Sequence, residues 1–287
     1  MIAVCKHELR LYFHSLTAYV FGAFLLAFVG IGAMLYNLQA AVSNFEYVLS
    51  FSCLVFVVIV PILTMRVIAE ERKQKTDQLL YSLPITTTQV ILGKYLALLV
   101  VYLFPLCLIS AYPLIFSQYG DVYLPTSYGS ILAFFLMGAA LIALGVFISS
   151  LTDNQGFAAG IGIAVILLNY YSVSLSEYVS ATSFGSVVAL AVLILILWGV
   201  ISHLTRNDTL ATVIALCLLA ALIAAYDLNA GAFEGLLPRI MKKLSLFERF
   251  YGFVNGVFDM TAVVYNLSVS AFFLFLSVQS LEKRRYN

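Results

Sequence analysis

Val187-Val188-Ala189-Leu190-Ala191-Val192-Leu193-Ile194-Leu195-Ile196-Leu197-Trp198-Gly199-Val200 carries no charged side chain and no alternation of apolar with polar residues. A barrel strand would show lipid one face and the lumen the other, so its sequence would alternate. A helix pairs its backbone groups with one another and can be apolar all round, as this stretch is. The segment therefore reads as a membrane helix.

Equivalent runs free of Asp, Glu, Lys and Arg lie on both sides of it: Leu11 to Phe45, Tyr47 to Met65, Tyr95 to Gly120, Val122 to Thr152, Asn154 to Ser176, Tyr178 to Thr205, Thr209 to Tyr226 and Met260 to Leu281. Each is near the roughly 20 residues a helix needs to cross about 30 Å of hydrocarbon. Eight spans are expected, with cores near 16–38, 47–66, 93–116, 129–151, 156–174, 185–204, 209–226 and 260–281. The first is too long for a cleaved signal peptide and has further spans after it. The fold class is thus all-α integral membrane, one transmembrane domain over 1–287.

Composition agrees. Of 287 residues, 63% are hydrophobic and 10% charged, whereas a soluble domain has about a quarter of its residues charged to cover its surface. The net charge of +1 gives no reason to expect nucleic acid as partner. Cys5, Cys53, Cys107 and Cys217 have no CxxC spacing, and His7, His14 and His203 form no HxxxH or HExxH pattern. Neither a disulfide framework nor a zinc site is readable, and packing is the expected role of these thiols. The 18 tyrosines and 22 phenylalanines read mostly as packing or interface anchors.

Lys and Arg set the orientation. Arg66, Arg72, Lys73, Lys75 and Lys94 lie between spans two and three, which places that loop (about 66–94) and both termini in the cytoplasm. Glu46, Asp121 and Glu177 mark external loops that carry no basic residue. Residues 227–259 would then be external although they contain Arg239, Lys242, Lys243 and Arg249. A seven-span alternative would bring them inside but would expel the Lys283-Arg284-Arg285 tail. Their mixture of charge with Phe247, Phe250, Tyr251, Phe253 and Phe258 suits helices lying at or dipping into the interface, where rings anchor and basic side chains snorkel. A second interfacial helix is expected over about 1–13, with Ile2, Cys5, Leu9 and Phe13 at helical spacing; the alternative is a frayed start of span one.

Several chemistries are disfavoured. The apolar runs contain none of the Asp, Glu, Lys or Arg that ion-coupled porters commonly use, and no acidic cluster such as DDxxD could hold magnesium and a diphosphate. Gly93-Lys94 is followed by Tyr95 and preceded at the relevant distance by Thr88, so it is no phosphate-cradling loop and the chain is not expected to hydrolyse ATP. No cofactor or metal is assigned to it.

The unusual stretch is Arg66 to Lys94. A loop needed only for orientation would carry Lys and Arg without Glu70, Glu71 and Asp77. The mixed block followed by Leu79-Leu80 predicts a short amphipathic helix stopped before Pro84, suited either to docking on a soluble partner or to a solvated connection. Glu70-Glu71-Arg72-Lys73, Thr76, Leu79-Leu80, Pro84 and Gly93-Lys94 together resemble the first cytoplasmic loop of ABC-2 type (type V) exporter permeases. Ser149 to Gln155 looks like that family's turn between the fourth and fifth spans. Gly256-Val257-Phe258-Asp259, Tyr265, Leu267-Ser268, Phe273 to Leu276 and Leu281 to Arg285 are similar to its C-terminal pattern, in the branch containing the gliding-motility permease.

The resemblance implies a cytoplasmic coupling helix with Glu70, Glu71, Arg72, Thr76, Leu79, Leu80 and Pro84 as coupling residues. It also implies separate cytoplasmic ABC ATPase subunits that hold ATP and magnesium, a second permease, and an extracytoplasmic accessory protein. Lys75 stands where the family usually has glycine, Gln78 where it has glutamate, and spans 185–204 and 209–226 look like an inserted pair. Gly156 and Gly160 form a GxxxG on span five, serving packing within the subunit or a seam with a second one. The expected function is the permease subunit of an ATP-driven exporter in the cell membrane; the rival is a membrane scaffold that transports nothing.

Overall fold

Four helix starts show how local chemistry sets the architecture. Thr86 Oγ1 accepts the backbone N–H of Gln89 at 3.3 Å, Asn154 Oδ1 accepts those of Gly156 and Phe157, and Asp259 Oδ1 accepts that of Thr261 at 2.8 Å. Each satisfies donors that the first turn of a helix leaves unpaired. Contact with Thr261 holds the Asp259 carboxyl below the ordinary range. The fourth start has proline in its first turn, where the missing N–H costs nothing.

The computed structural model describes residues 1–75, 86–179, 181–205 and 208–285, and they contain helices and no strands. In chain order the helices are α1 (Ile2–His14), α2 (Leu16–Gly32, continued by a π-helical turn over Ala33–Gln39), α3 (Glu46–Ser52), α4 (Phe56–Thr64) and α5 (Ala69–Lys73). There follow α6 (Thr87–Ile109), α7 (Ala111–Phe116), α8 (Leu124–Leu151), α9 (Gln155–Tyr178), α10 (Ser183–Thr205), α11 (Asp208–Leu228), α12 (Leu236–Leu244), α13 (Leu246–Val254) and α14 (Met260–Arg285).

Among the described residues six helical stretches are long and apolar enough to cross a membrane: Leu16–Gln39, Glu46–Lys73, Thr87–Phe116, Leu124–Leu151, Gln155–Tyr178 and Met260–Lys283. A bent pair, Thr212–Leu228 with Ala230–Leu244, raises the number to seven if it counts as one span. The spans expected from sequence at 185–204 and 209–226 fall on α10 and on the first arm of that pair. On α6 the residues Leu96, Val100, Leu103 and Phe104 form an exposed apolar stripe while Leu98, Val101, Tyr102 and Pro105 are buried. Water would not tolerate such a stripe, whereas lipid tails do.

The chain divides into two compact units, Met1–Tyr170 with Leu246–Asn287, and Tyr171–Ser245. The second brackets the pair of spans that the sequence marks as inserted. In the first unit α8 is the central helix, meeting α3, α4, α6, α13 and α14. It can do so because its inner face is small. A Cβ on Gly138 would strike the Tyr102 ring at 2.6 Å, one on Gly145 would strike Thr64, and on α9 one on Gly162 would meet Pro61 at 3.0 Å. Tyr102 is fully buried, donates to the Phe134 carbonyl at 2.8 Å and packs edge-on against Phe21 and Phe56.

Two charged segments take definite form in three dimensions. Along residues 246–254 Phe247, Phe250 and Phe253 are buried in the first unit, and the Arg249 guanidinium sits 4.0 Å above the Tyr265 ring. The stretch between spans two and three is also shorter than its sequence span of 66–94, because α5 continues the second span and α6 begins at Thr87. Lys94 is consequently inside a helix, not in a loop.

Candidate functional site

Arg66 to Lys75 leads from the second span toward the predicted coupling segment. Only its first part forms the expected helix within the described residues: α5 covers Ala69–Lys73, and Lys75 follows with φ 56°. That left-handed conformation is where glycine is favoured, just past a helix end. The bend that glycine would supply is therefore present with lysine in its place. Thr76, Leu79, Leu80 and Pro84 lie outside the described residues.

The charges of α5 are used within the chain. Glu70 grips the Arg66 guanidinium through both oxygens, at 2.7 and 3.1 Å, and Arg66 also reaches Thr17 Oγ1 at 3.1 Å. Glu71 and Glu8 each accept from Lys94 Nζ at 2.6 Å, and Nζ also donates to the Val67 carbonyl at 3.0 Å. The Lys94 and Glu8 side chains are 2% and 9% exposed, so this is a buried cluster joining α1, α5 and α6. Arg72, also buried, donates to the Ser150 carbonyl and lies 3.8 Å from Asp153.

Buried charge costs several kcal/mol per ion unless it is paired and hydrogen-bonded. Lys94 meets that condition on three sides. α1 reaches the cluster because Gly93 leaves room: a Cβ there would meet Val4 at 2.9 Å and the Met1 carbonyl at 3.0 Å. Tyr12, one turn after Glu8, donates to the Leu63 carbonyl at 3.3 Å. Burial first, and then the Glu8 carboxylate, push its hydroxyl pKa well up. The inward face of α1 is thus Glu8 and Tyr12, while Ile2 and Phe13 stay exposed.

Ser149 organises the other side. Its Oγ accepts the Ile68 and Ala69 N–H groups, both at 3.2 Å, and lies 3.2 Å from the Met65 carbonyl, so the end of α8 caps the start of α5. Ser280 of α14 donates to the Ser150 carbonyl at 3.0 Å, and Thr87 at the start of α6 donates to Glu282 at 2.7 Å. Described residues of the three sequence patches at 66–94, 149–155 and 281–285 therefore meet at one end of the first unit. Linear reading quoted Lys94, Ser149 and Glu282 within those separate patches and Glu70, Glu71 and Arg72 as coupling residues, but did not single out Glu8 or Thr87. The available signal was an acidic residue on α1 and a lysine beside a glycine.

A cleft of about 810 Å³ opens beside the cluster, bounded by α1, the start of α2 and the segment 66–74, with His7, Tyr12, Thr17, Arg66, Glu70 and Lys94 in its wall. Among the described residues no group of three His, Cys, Asp or Glu side chains is placed to hold a metal. Hydrogen bonds thus tie α5 to α1 and α6 through Glu71 and Lys94, and to α8 through Arg72 and Ser149.

Among the described residues no other helix lies against Gly156 or Gly160. A Cβ on Gly160 would meet nothing within 4 Å, and one on Gly156 would meet only Asn154 at 3.4 Å. Close approach on α9 occurs instead at Gly162.

No curated protein matches the chain. Residues 35–176 match the family model described as ABC-2 family transporter protein, and the match takes in α5, the buried Lys94 and the Ser149–Gln155 turn. With several membrane-crossing helices and its charged residues gathered at helix ends, the chain carries the membrane domain of an ABC-2 family transporter permease, a multi-pass subunit that is not itself catalytic.

Proposed function

We propose that this permease belongs to an ATP-driven exporter and passes the motion of separate cytoplasmic ABC ATPase subunits, which hold ATP and magnesium, to a substrate pathway. The observation that carries the reading is the anchoring of segment 66–75 by two buried cations, Arg72 and Lys94, to the ends of α1, α6 and α8. A partner that binds one arrangement of this segment more tightly than another biases the whole helix end, which is what coupling requires. In this reading Leu79 and Leu80 face the ATPase, with Thr76 and Pro84 shaping their helix. Glu70, Glu71 and Arg72 act behind them as the inward linkage.

The rest of the assembly follows the family likeness: a second permease, identical or not, and an extracytoplasmic accessory protein, in the branch containing the gliding-motility permease. The open Gly156–Gly160 face is the candidate seam with the second permease. In this reading, supported by Lys6, Arg10, Arg66, Arg72, Lys73, Lys75 and Lys283, the Lys94 end and both termini are cytoplasmic, with eight spans in all and 227–259 outside.

Leu79→Asp tests the coupling reading, because it leaves the Lys94 cluster intact. Membrane level should stay normal while ATPase co-purification and transport are lost. Retention of both would return the segment to a solvated connection, and a stable complex without any ATPase would favour the scaffold.

A further inference from the structure

We infer that α12 is a binding surface for the phosphate headgroups of anionic phospholipids. The inference deepens the interfacial reading of 227–244 and is independent of the coupling assignment.

α12 reads Leu236-Leu237-Pro238-Arg239-Ile240-Met241-Lys242-Lys243-Leu244, and at 100° per residue its basic side chains fall on one arc and Leu236, Leu237, Ile240, Met241 and Leu244 on the other. None of its residues is buried. Arg239, Lys242 and Lys243 are exposed, while Leu236, Leu237, Ile240 and Met241 are partly covered. Among the described residues Arg239 and Lys242 form no ion pair. Lys242 and Lys243 also complement the carbonyl end of their helix, which accounts for basic residues in the last turn but not for Arg239 in the middle.

Geometry supplies the second observation. The chain bends by 114° between Thr212–Leu228 and Ala230–Leu244, so an apolar helix is followed at once by one running nearly across it. Within the second arm, Gly235 stands just before α12 with a φ of 65° that suits a residue without Cβ, and its N–H donates to the Ala181 carbonyl at 2.8 Å. Tyr226 packs edge-on against Phe233 beside it, at 5.9 Å, in the aromatic position typical of a membrane boundary. A helix turned across a span at that level lies along the bilayer surface. Its basic arc then meets a layer of headgroups, and the matching charge is phosphate with no compensating cation.

The full chain, purified and placed in bilayer discs of phosphatidylcholine mixed with phosphatidylglycerol, tests this by native mass spectrometry of the lipids it retains. A bimane label on a cysteine at Ile240 in a Cys-free background reports membrane contact. Wild type should retain phosphatidylglycerol over phosphatidylcholine several-fold, and Arg239→Gln with Lys242→Gln should reduce that preference at least two-fold while leaving the label shielded from aqueous iodide. Arg239→Glu with Lys242→Glu should reduce it further, and Lys242→Gln alone serves if the double variants do not insert. Equal retention of the two lipids, or an unchanged preference in the variants, overturns the inference. Displacement of the lipid by inorganic phosphate or by a soluble acidic peptide also overturns it in favour of that ligand. A label quenched freely in these discs in wild type and variants alike shows instead that the interfacial reading itself fails.

Discussion

The chain places charge in two segments that use it in opposite ways. Between Arg66 and Lys75 two charges turn inward: Arg72 is buried against the end of α8, and Glu71 shares Lys94 with Glu8. On α12 the Arg239 and Lys242 side chains turn outward and pair with no carboxylate of the described chain. Both segments are short amphipathic runs next to apolar helices, so composition does not separate them. What separates them is whether acidic partners from other helices converge on the basic groups. The lesson is that charge beside a membrane span has two stable fates, neutralisation inside the helix bundle or solvation at the bilayer surface, and each predicts a different response to mutation.

The largest effect should come from Lys94→Met. It leaves the Glu8 and Glu71 carboxylates facing one another without their shared cation, at a cost of about 3–5 kcal/mol. Little folded protein should be recovered in detergent. Glu8→Gln should cost less, because Lys94 keeps Glu71, and the triple change Glu8→Gln, Glu71→Gln, Lys94→Met should recover much of the loss. Thermal unfolding of the four proteins checks the order, and a Lys94→Met protein as stable as wild type would break the comparison.

Ser149→Ala comes next. Two N–H groups at the start of α5 lose their acceptor, costing about 1–2 kcal/mol. The change should also loosen the segment, seen as faster hydrogen exchange at Ile68 and Ala69 with α12 unaffected. Equal exchange in both proteins would remove Ser149 from the linkage.

Lys75→Gly should stabilise, by about 1 kcal/mol, since glycine takes the left-handed conformation without a Cβ penalty. A small rise in the unfolding midpoint is expected, with transport preserved. A fall would show that the lysine side chain holds a contact worth more than the backbone strain.

The smallest effects belong to charges in contact with solvent. Arg66→Gln breaks a pair whose side chains are 38% and 26% exposed and should cost no more than about 1 kcal/mol. Neutralising Arg239 and Lys242 should change the unfolding midpoint less still, within about 0.5 kcal/mol. If the α12 change destabilises as much as Lys94→Met, the two segments are alike and the contrast fails.

The sequence by itself determined the apolar runs, and with them six of the expected spans, because crossing about 30 Å of hydrocarbon needs a length of helix that any reader can count. It also carried the three patches that resemble the transporter family, including a lysine at a position of glycine-like bend. Tertiary structure alone decided what the charges do. Glu8 and Lys94 are 86 residues apart, and Ser149 is 80 from Ala69. Helix periodicity assigns a residue to a face but does not say which helix will cover that face. That choice depended on side chains elsewhere: Gly93 admitting α1, Gly145 admitting Thr64, and Gly162 admitting Pro61, while Gly156 and Gly160, the more legible motif, met no other helix among the described residues. Segment 246–254 shows the same limit, for its rings could cover a membrane surface or fill a core, and only packing against α8 buried Phe247, Phe250 and Phe253. Hydrophobicity is a property of each residue, whereas burial is a property of the neighbours it finds.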